Sequence, residues 1–370
     1  MKKIKTLITL YPSFERGGAT KNLINFINTC DKKNIQILLI SNIDKNLKKK
    51  LLNKNIKVIN FFDKLKNRNF QRFFTSFFSI FALLKVFKKT DFKSSLVISF
   101  QSHILPIIIC RLFGRKIIIR NSEDIIDATK YADNKFSAYF IFILKMLFYN
   151  FSSGIITNSI KSKKSLDQII FNNKCTLIYN PYLKKILKKK KKLRQNYILS
   201  VGRLCKQKNQ IITIKAFAIF LKKFPNYKLI LIGHGHDESK LKSLCQNLNI
   251  SKNVIFKGWI NNPNKYYSEA KVLIFPSLYE GLPNTLIDAI NCDLPCISSK
   301  CSGAIDILTK KHGIFIHKDN YKMLSKKIEF VINNYRKVSS RTNNIKKKLS
   351  RFLIKPQVSE YLNYCKNQIE

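Results

Sequence analysis

The segment "SLYEGLPNTLIDAI" (277–290) holds a strand end, a tight turn and a helix start in fourteen residues. The apolar run "VLIFPS" (272–277) leads into it. Gly281, Leu282 and Pro283 turn the chain, Asn284 is placed to cap a helix, and "TLIDAINC" continues as that helix. This is one βα unit of an α/β sheet. Two acids bracket the turn, Glu280 before it and Asp288 inside the helix, in a chain with 69 Lys and Arg against 21 Asp and Glu. The helix dipole favours an acid near a helix start, so Asp288 has a local reason to be there. Glu280, at a strand end facing cationic surroundings, has a weaker one.

The same alternation extends outward in both directions. Upstream, "KIKTLITL" (3–10), "IQILLIS" (35–41), "IKVINF" (56–61), "SLVISF" (95–100), "KIIIR" (116–120) and "GIITNS" (154–159) read as strands, and "GATKNLINFINTC" (18–30) as a helix. The stretch "LIYNPYLKKILKKKKKLRQN" (177–196) breaks the pattern at Asn180-Pro181 and runs into solvated lysines. Alternation then restarts with "YILSVG" (197–202), "YKLILIG" (227–233), "NVIFKG" (253–258) and "PCISS" (295–299). Continuous apolar strands separated by helices predict parallel, doubly wound α/β sheets, two of them, facing a cleft. The expected domains are residues 1–183 and 197–347, a lysine-rich linker 184–196, and a C-terminal helix, 348–370, packing back on the first domain.

Composition bounds the partners. The 370 residues are 45% hydrophobic, enough for two cores. A formal net charge of +48 attracts phosphates, whether of nucleotides, nucleic acid or lipid headgroups. At least half of that excess is assigned to a general Lys, Asn, Ile and Phe bias. The nine cysteines are scattered, and Cys292, Cys296 and Cys301 with His312 and His317 make no zinc spacing, so buried thiols in a reducing cytosol are expected. "MKKIKTLITLYPSFERGG" reads as a first strand and not as a signal peptide. No run of eighteen apolar residues predicts a spanning helix. "FSAYFIFILKMLFY" (136–149) is expected to face a core. The Phe-rich "FQRFFTSFFSIFALLKVF" (70–87), with its basic flanks, fits a membrane-interface helix and a buried helix equally well.

Three further motifs sit at strand ends. Gly17 and Gly18 in "ERGGATKNL" (15–23) would let a ligand approach the first helix, although an ordinary turn explains them nearly as well. "VGRLCKQKNQ" (201–210) puts Gly202 at a strand end, followed by Arg203 and Lys208 near a helix start. A planar guanidinium fork and a point charge suit a diphosphate. Gly233 and Gly235 in "LIGHGHDESKL" (231–241) would admit a base or phosphate.

In this order and spacing, "GGATKNL", "GRLCKQKN", "IGHGHDESKL…NVIFKGWINN" and "PSLYEGLPNTLIDAINCDLPCISSKCSGAIDIL" resemble a family-4-type retaining glycosyltransferase of the GT-B fold. The resemblance is specific from Tyr197 to Leu308, looser before, and closest to members extending lipid-linked bacterial surface glycans. It implies that Arg203 and Lys208 hold the donor diphosphate and that Glu280 lies by the donor sugar. Backbone amides of Gly281, Leu282, Pro283's neighbour Asn284 and Thr285 would lie near the sugar or phosphate, and Asp288 would contact the ribose. The family usually has Glu where Asp288 and Asp306 stand. The donor is a UDP- or GDP-sugar, a co-substrate, and no cofactor is expected. The chain lacks an Asp-x-Asp motif, so metal-independent transfer is expected.

The acceptor, a saccharide on a polyprenyl diphosphate, is expected on the first domain. "ISFQSHIL" (98–105) brings Gln101, Ser102 and His103 to a strand end, where the family often has a functional His, and "RNSED" (120–124) follows the next strand. An enzyme peripheral on the cytoplasmic face of an anionic membrane follows. The competing readings are another GT-B enzyme such as a nucleotide-sugar epimerase, and a basic nucleic-acid-binding protein. The latter rests on net charge alone and lacks a recognisable module.

Overall fold

Strands form where aliphatic runs can be buried on both faces. All five residues of "IIIRN" (117–121) are buried, as are all of "SLVIS" (95–99). The computed structural model describes residues 4–14, 17–61, 68–171, 175–188 and 193–368, with the backbone only for 68–73. Part of the basic flank at 62–69 and of the lysine run at 189–192 lies outside them. Two units divide the chain, residues 1–184 with 351–370, and residues 185–350.

The first unit runs β1 (Thr6–Ser13), α1 (Gly18–Asp31), β2 (Gln36–Asn42), α2 (Lys45–Leu51), β3 (Lys57–Ile59), α3 (Arg68–Phe87), β4 (Ser95–Ser99), α4 (Ile104–Leu112), β5 (Ile117–Asn121), α5 (Ile125–Lys130), α6 (Lys135–Phe148), β6 (Gly154–Thr157), α7 (Ile160–Asp167) and β7 (Cys175–Leu177). The second runs β8 (Tyr197–Val201), α8 (Gln210–Leu221), β9 (Lys228–Ile232), α9 (Glu238–Asn247), β10 (Val254–Phe256), α10 (Asn264–Glu269), β11 (Val272–Phe275), α11 (Asn284–Asn291), β12 (Cys296–Ser299), α12 (Ser302–Leu308), β13 (Ile314–Ile316), α13 (Tyr321–Asn333) and α14 (Tyr335–Lys346). Both sheets are parallel, ordered β3-β2-β1-β4-β5-β6-β7 and β10-β9-β8-β11-β12-β13. The order reverses beside β1 and beside β8, which sets a ligand crevice at the carboxyl ends of those strands.

The last helix, α15 (Ile354–Asn367), packs on α1 in the first unit, where Val358, Tyr361 and Leu362 join its core. Its approach is held by backbone bonds from Tyr182 and Leu183 to the Phe352 carbonyl, 3.1 and 2.8 Å. Within the segment expected as a linker, Arg194 is tethered. It donates to the Tyr267 and Ala270 carbonyls ending α10 and to those of Cys292 and Asp293 ending α11, at 2.8–3.1 Å. A cation at two helix C-termini is favoured by both dipoles.

Two expectations need correction. Strand β13 has no counterpart in the sequence reading, because "GIFIHK" is short and follows a Lys-Lys-His turn. And α6 faces the core along one edge only. None of its residues is fully buried, and only an edge near Phe142 and Met146 touches the first unit's core. Its apolar residues run around the whole helix, so periodicity could not show which side the sheet would take. All nine cysteines are unpaired, eight of them buried.

Candidate active site

The loop after β8 is built by one strained residue. Residues Lys206–Lys208 form a single 3-10 turn, and Asn209 follows at φ 54°, a left-handed conformation that Asn tolerates. Its Nδ2 donates to the Lys318 carbonyl at 2.8 Å. Helix α8 thus starts at Gln210, two residues later than the sequence suggested, and Lys208 belongs to the turn. Gln210 donates to the Arg203 carbonyl (2.8 Å), and the exposed Arg203 guanidinium donates to Gln207 Oε1 (3.0 Å). Gln207 also ties this loop to the one after β11. Its Nε2 donates to the Tyr279 carbonyl (3.0 Å), and its own carbonyl accepts from the Leu278 amide (2.8 Å).

This stitching brings Lys208 Nζ into a direct charge-assisted hydrogen bond with Glu280 Oε1. The two side chains are only 16% and 13% exposed, and Lys208 Nζ lies 5.3 Å from the Phe275 ring centroid. Glu280 therefore has a structural reason to be acidic that the sequence did not reveal. The fully buried Cys301 feels both charges. Burial pushes its thiol up to about 12, the Glu280 charge pushes the same way, and Lys208 and Lys318 oppose it.

Helix α11 begins at Asn284, so Pro283 and not Asn284 holds the cap position, and no side chain caps it. Asp288 is the fifth residue of the helix, beyond the first turn, where the dipole fades. It lies near Tyr267 and Cys292, and its charge raises both their pKa values, after burial, which is the larger cause for each. Thr285 bonds to the fully buried Tyr267 hydroxyl. Gly281, Leu282 and Pro283 are buried, as is Asp306 on α12.

The glycines have a direct packing cause. A Cβ on Gly233, at φ 141°, would lie 1.9 Å from the Gly202 carbonyl oxygen, and one on Gly235 would lie 2.0 Å from that of Leu204. They let the loop after β9 rest on the loop after β8, where the Leu204 amide donates to the His234 carbonyl (3.0 Å). Gly303, missed in the sequence reading, does the same for α12, its Cβ site being 2.1 Å from the Gly281 oxygen. A glycine pair in "CSGAI" facing "EGLP" carries no periodic signal. Gly17 is the opposite case: it caps α1 in an extended conformation with no atom within 4 Å of a Cβ.

In the first unit, His103 sits just before α4, past the carboxyl end of β4. Its Nδ1 is 2.9 Å from Ser99 Oγ, and its ring meets that of Tyr149 edge-on. Burial pushes the imidazole down to about 3, with the Lys145 and Arg120 cations adding to it, so it is neutral at pH 7. Ser102 adopts φ 57°, and Gln101 Oε1 accepts from the Ser13 amide at 3.1 Å, which fixes the loop onto the end of β1. Arg120 is buried, bonded to Ser122 and Asn180 and lying over Phe100. Among the described residues, no group of three or more His, Cys, Asp or Glu could hold a metal ion.

Fold and strand-end loops define a GT-B-type α/β protein. Residues 184–348, nearly the whole second unit, match the family "Glycosyl transferases group 1". The chain is 30% identical to an uncharacterised glycosyltransferase of Methanocaldococcus jannaschii over 63% of its own length and 62% of the relative's. It is 31% identical to a Campylobacter jejuni N-acetylgalactosamine-N,N'-diacetylbacillosaminyl-diphospho-undecaprenol 4-alpha-N-acetylgalactosaminyltransferase, over 58% of this chain and 60% of that one. It thus spans about six-tenths of the length of these curated relatives. Anabaena HepE, crystallised with UDP and glucose, superposes with a TM-score of 0.79 over 98% of this chain and 100% of that one, at 18% identity, which speaks for the fold alone.

Proposed function

We propose that this chain is a retaining glycosyltransferase. It moves a hexose or N-acetylhexosamine from a UDP- or GDP-sugar to a saccharide on a polyprenyl diphosphate, at the cytoplasmic face of the membrane, in surface polysaccharide or lipid-linked glycan synthesis. The observation that carries this reading is the meeting of Lys208 and Glu280, 72 residues apart in sequence, in the family-matching unit. The Campylobacter relative's undecaprenol-linked substrate and the UDP in the Anabaena structure support the choice of acceptor and donor.

The chemistry follows from charge. The bond from the anomeric carbon to the diphosphate oxygen breaks, and its electron pair leaves on the diphosphate. Arg203 and Lys208 stabilise that developing charge, and the diphosphate competes with Glu280 for Lys208. The acceptor hydroxyl bonds to the anomeric carbon on the face the diphosphate leaves, and its proton passes to the departing phosphate. Glu280 and the amides at the start of α11 hold the sugar, Asp288 the ribose, and neutral His103 the acceptor. No cofactor or metal is required. The epimerase and nucleic-acid readings gain no supporting observation.

A panel of UDP- and GDP-sugars with polyprenyl-diphosphate-linked saccharides tests this. Transfer from one donor is expected, and Arg203→Ala with Lys208→Ala should lower turnover at least about 100-fold with the fold retained. Near-normal rates would remove the diphosphate assignment. Turnover abolished by EDTA and restored by Mg²⁺ or Mn²⁺ would overturn metal independence.

A further inference from the structure

The first unit leaves aromatic side chains in water that neither its core nor the proposed chemistry uses. Helices α3, α4 and α6 pack on one face of the first sheet, sharing a core through Leu83, Val86, Ile107, Cys110, Phe142 and Met146. Their outward sides are apolar too. Phe136, Tyr139 and Phe140 of α6 are 86%, 60% and 56% exposed, and Phe77 and Phe81 of α3 are exposed as well. Single exposed apolar residues are ordinary, but contiguous ones mark a contact surface.

The rings of α3 and of the turns after α3 and α4 are contiguous. Phe77 meets Phe81 edge-on at 5.7 Å, and Phe113, just past α4, lies 6.0 Å from Phe87. Phe81, Phe87, Phe92 and Phe113 line an apolar hollow of about 500 Å³. Cations edge it: Lys85 and Lys88 line its rim, and the Arg115 guanidinium lies 5.5 Å from the Phe92 ring centroid. The same segments expose Lys89, Lys93, Arg111 and Lys116. From residue 68 to residue 122 the sequence holds one acid, Asp91, which is bonded to Ser94 and the Lys93 amide.

We propose that this face docks on an anionic phospholipid bilayer, its rings at headgroup depth and its lysines against lipid phosphates. The charge favours this occupant. A second copy would oppose cation to cation, and a nucleic acid would leave the α6 rings in water. No described helix is long and apolar enough to cross a membrane, so the contact is peripheral. The inference extends the lipid-linked acceptor reading but is measured without sugar transfer, so either can fail alone.

The test is co-sedimentation of the full chain with phosphatidylglycerol-rich vesicles and with pure phosphatidylcholine vesicles. Binding to the former, weakened by salt, is expected. Two variants, Phe136→Ser/Tyr139→Ser/Phe140→Ser and Lys85→Glu/Lys88→Glu, change exposed side chains and should keep the wild-type unfolding temperature. Each should weaken binding at least about tenfold. Equal wild-type binding to both vesicle types, no binding, or undiminished binding by either variant would overturn the proposal. So would a wild-type dimer by light scattering that the variants convert to monomer without any vesicle binding, which would give the face to a second copy.

Discussion

The two units share a strand order, yet they use it differently. At the crevice end of the second, a cation and an acid from loops 72 residues apart are locked together and mostly dry. At the same end of the first, a neutral His103 bonds Ser99 under the influence of the Lys145 and Arg120 cations, and Gln101 accepts from the Ser13 amide. The second unit fits loop on loop through glycines, whereas the first leaves Gly17 open at the start of α1. The outer surfaces differ as well, since among the described residues the first unit exposes many large aromatic rings and the second exposes Trp259 and Phe330. The scaffold supplies positions, and the strand-end loops decide what stands there.

The largest expected effect separates the two possible uses of the Lys208–Glu280 pair. Glu280→Gln should lower turnover about 10²–10³-fold if the carboxylate acts on the donor sugar. Lys208→Met strands a mostly buried carboxylate and should cost about 3 kcal/mol of stability. The double variant Lys208→Met/Glu280→Leu should recover most of that stability but none of the turnover. Denaturant unfolding beside steady-state rates reads both. Recovery of turnover would mean that the pair is only a fastener.

A smaller effect contrasts the glycines. Gly233→Ala forces a Cβ into the Gly202 carbonyl at a positive φ and should destabilise by at least about 2 kcal/mol. Gly17→Ala meets no atom and should stay within about 0.5 kcal/mol. Urea midpoints test both, and a large loss at Gly17 would erase the contrast.

The last concerns His103. Its folded pKa, about 3, lies below the ordinary 6.5. Between those values the unfolded chain binds a proton that the folded chain refuses. Stability should therefore fall as pH drops below 6.5, with no His103 contribution above it. His103→Asn should flatten that slope in urea midpoints, and an unchanged slope would assign it to other groups.

Much of this was legible in one dimension. Strand runs such as "YKLILIG" and "SLVISF" are apolar because helices cover both sheet faces, and burial writes itself into composition. The loop motifs singled out Lys208 and Glu280 by residue type but not that the two side chains meet. The helix start at Pro283-Asn284 was off by one, because Asn is as natural at a cap as in a first turn. For α6 the sequence did not reveal how much of the helix stays outside the core, because a helix apolar all round does not say which side meets the sheet.

Local order along the chain determined the α/β alternation and the positions of the loops, since each depends on neighbours a few residues apart, and a helix between successive strands is the crossover that parallel pairing needs. Only the tertiary structure decided that Lys208 reaches Glu280 and that Gly233 and Gly303 are glycines for the sake of distant backbones. It also decided that the rings of α6 face water. Those are contacts between segments far apart in sequence, and no periodicity or propensity records the distance between two loops.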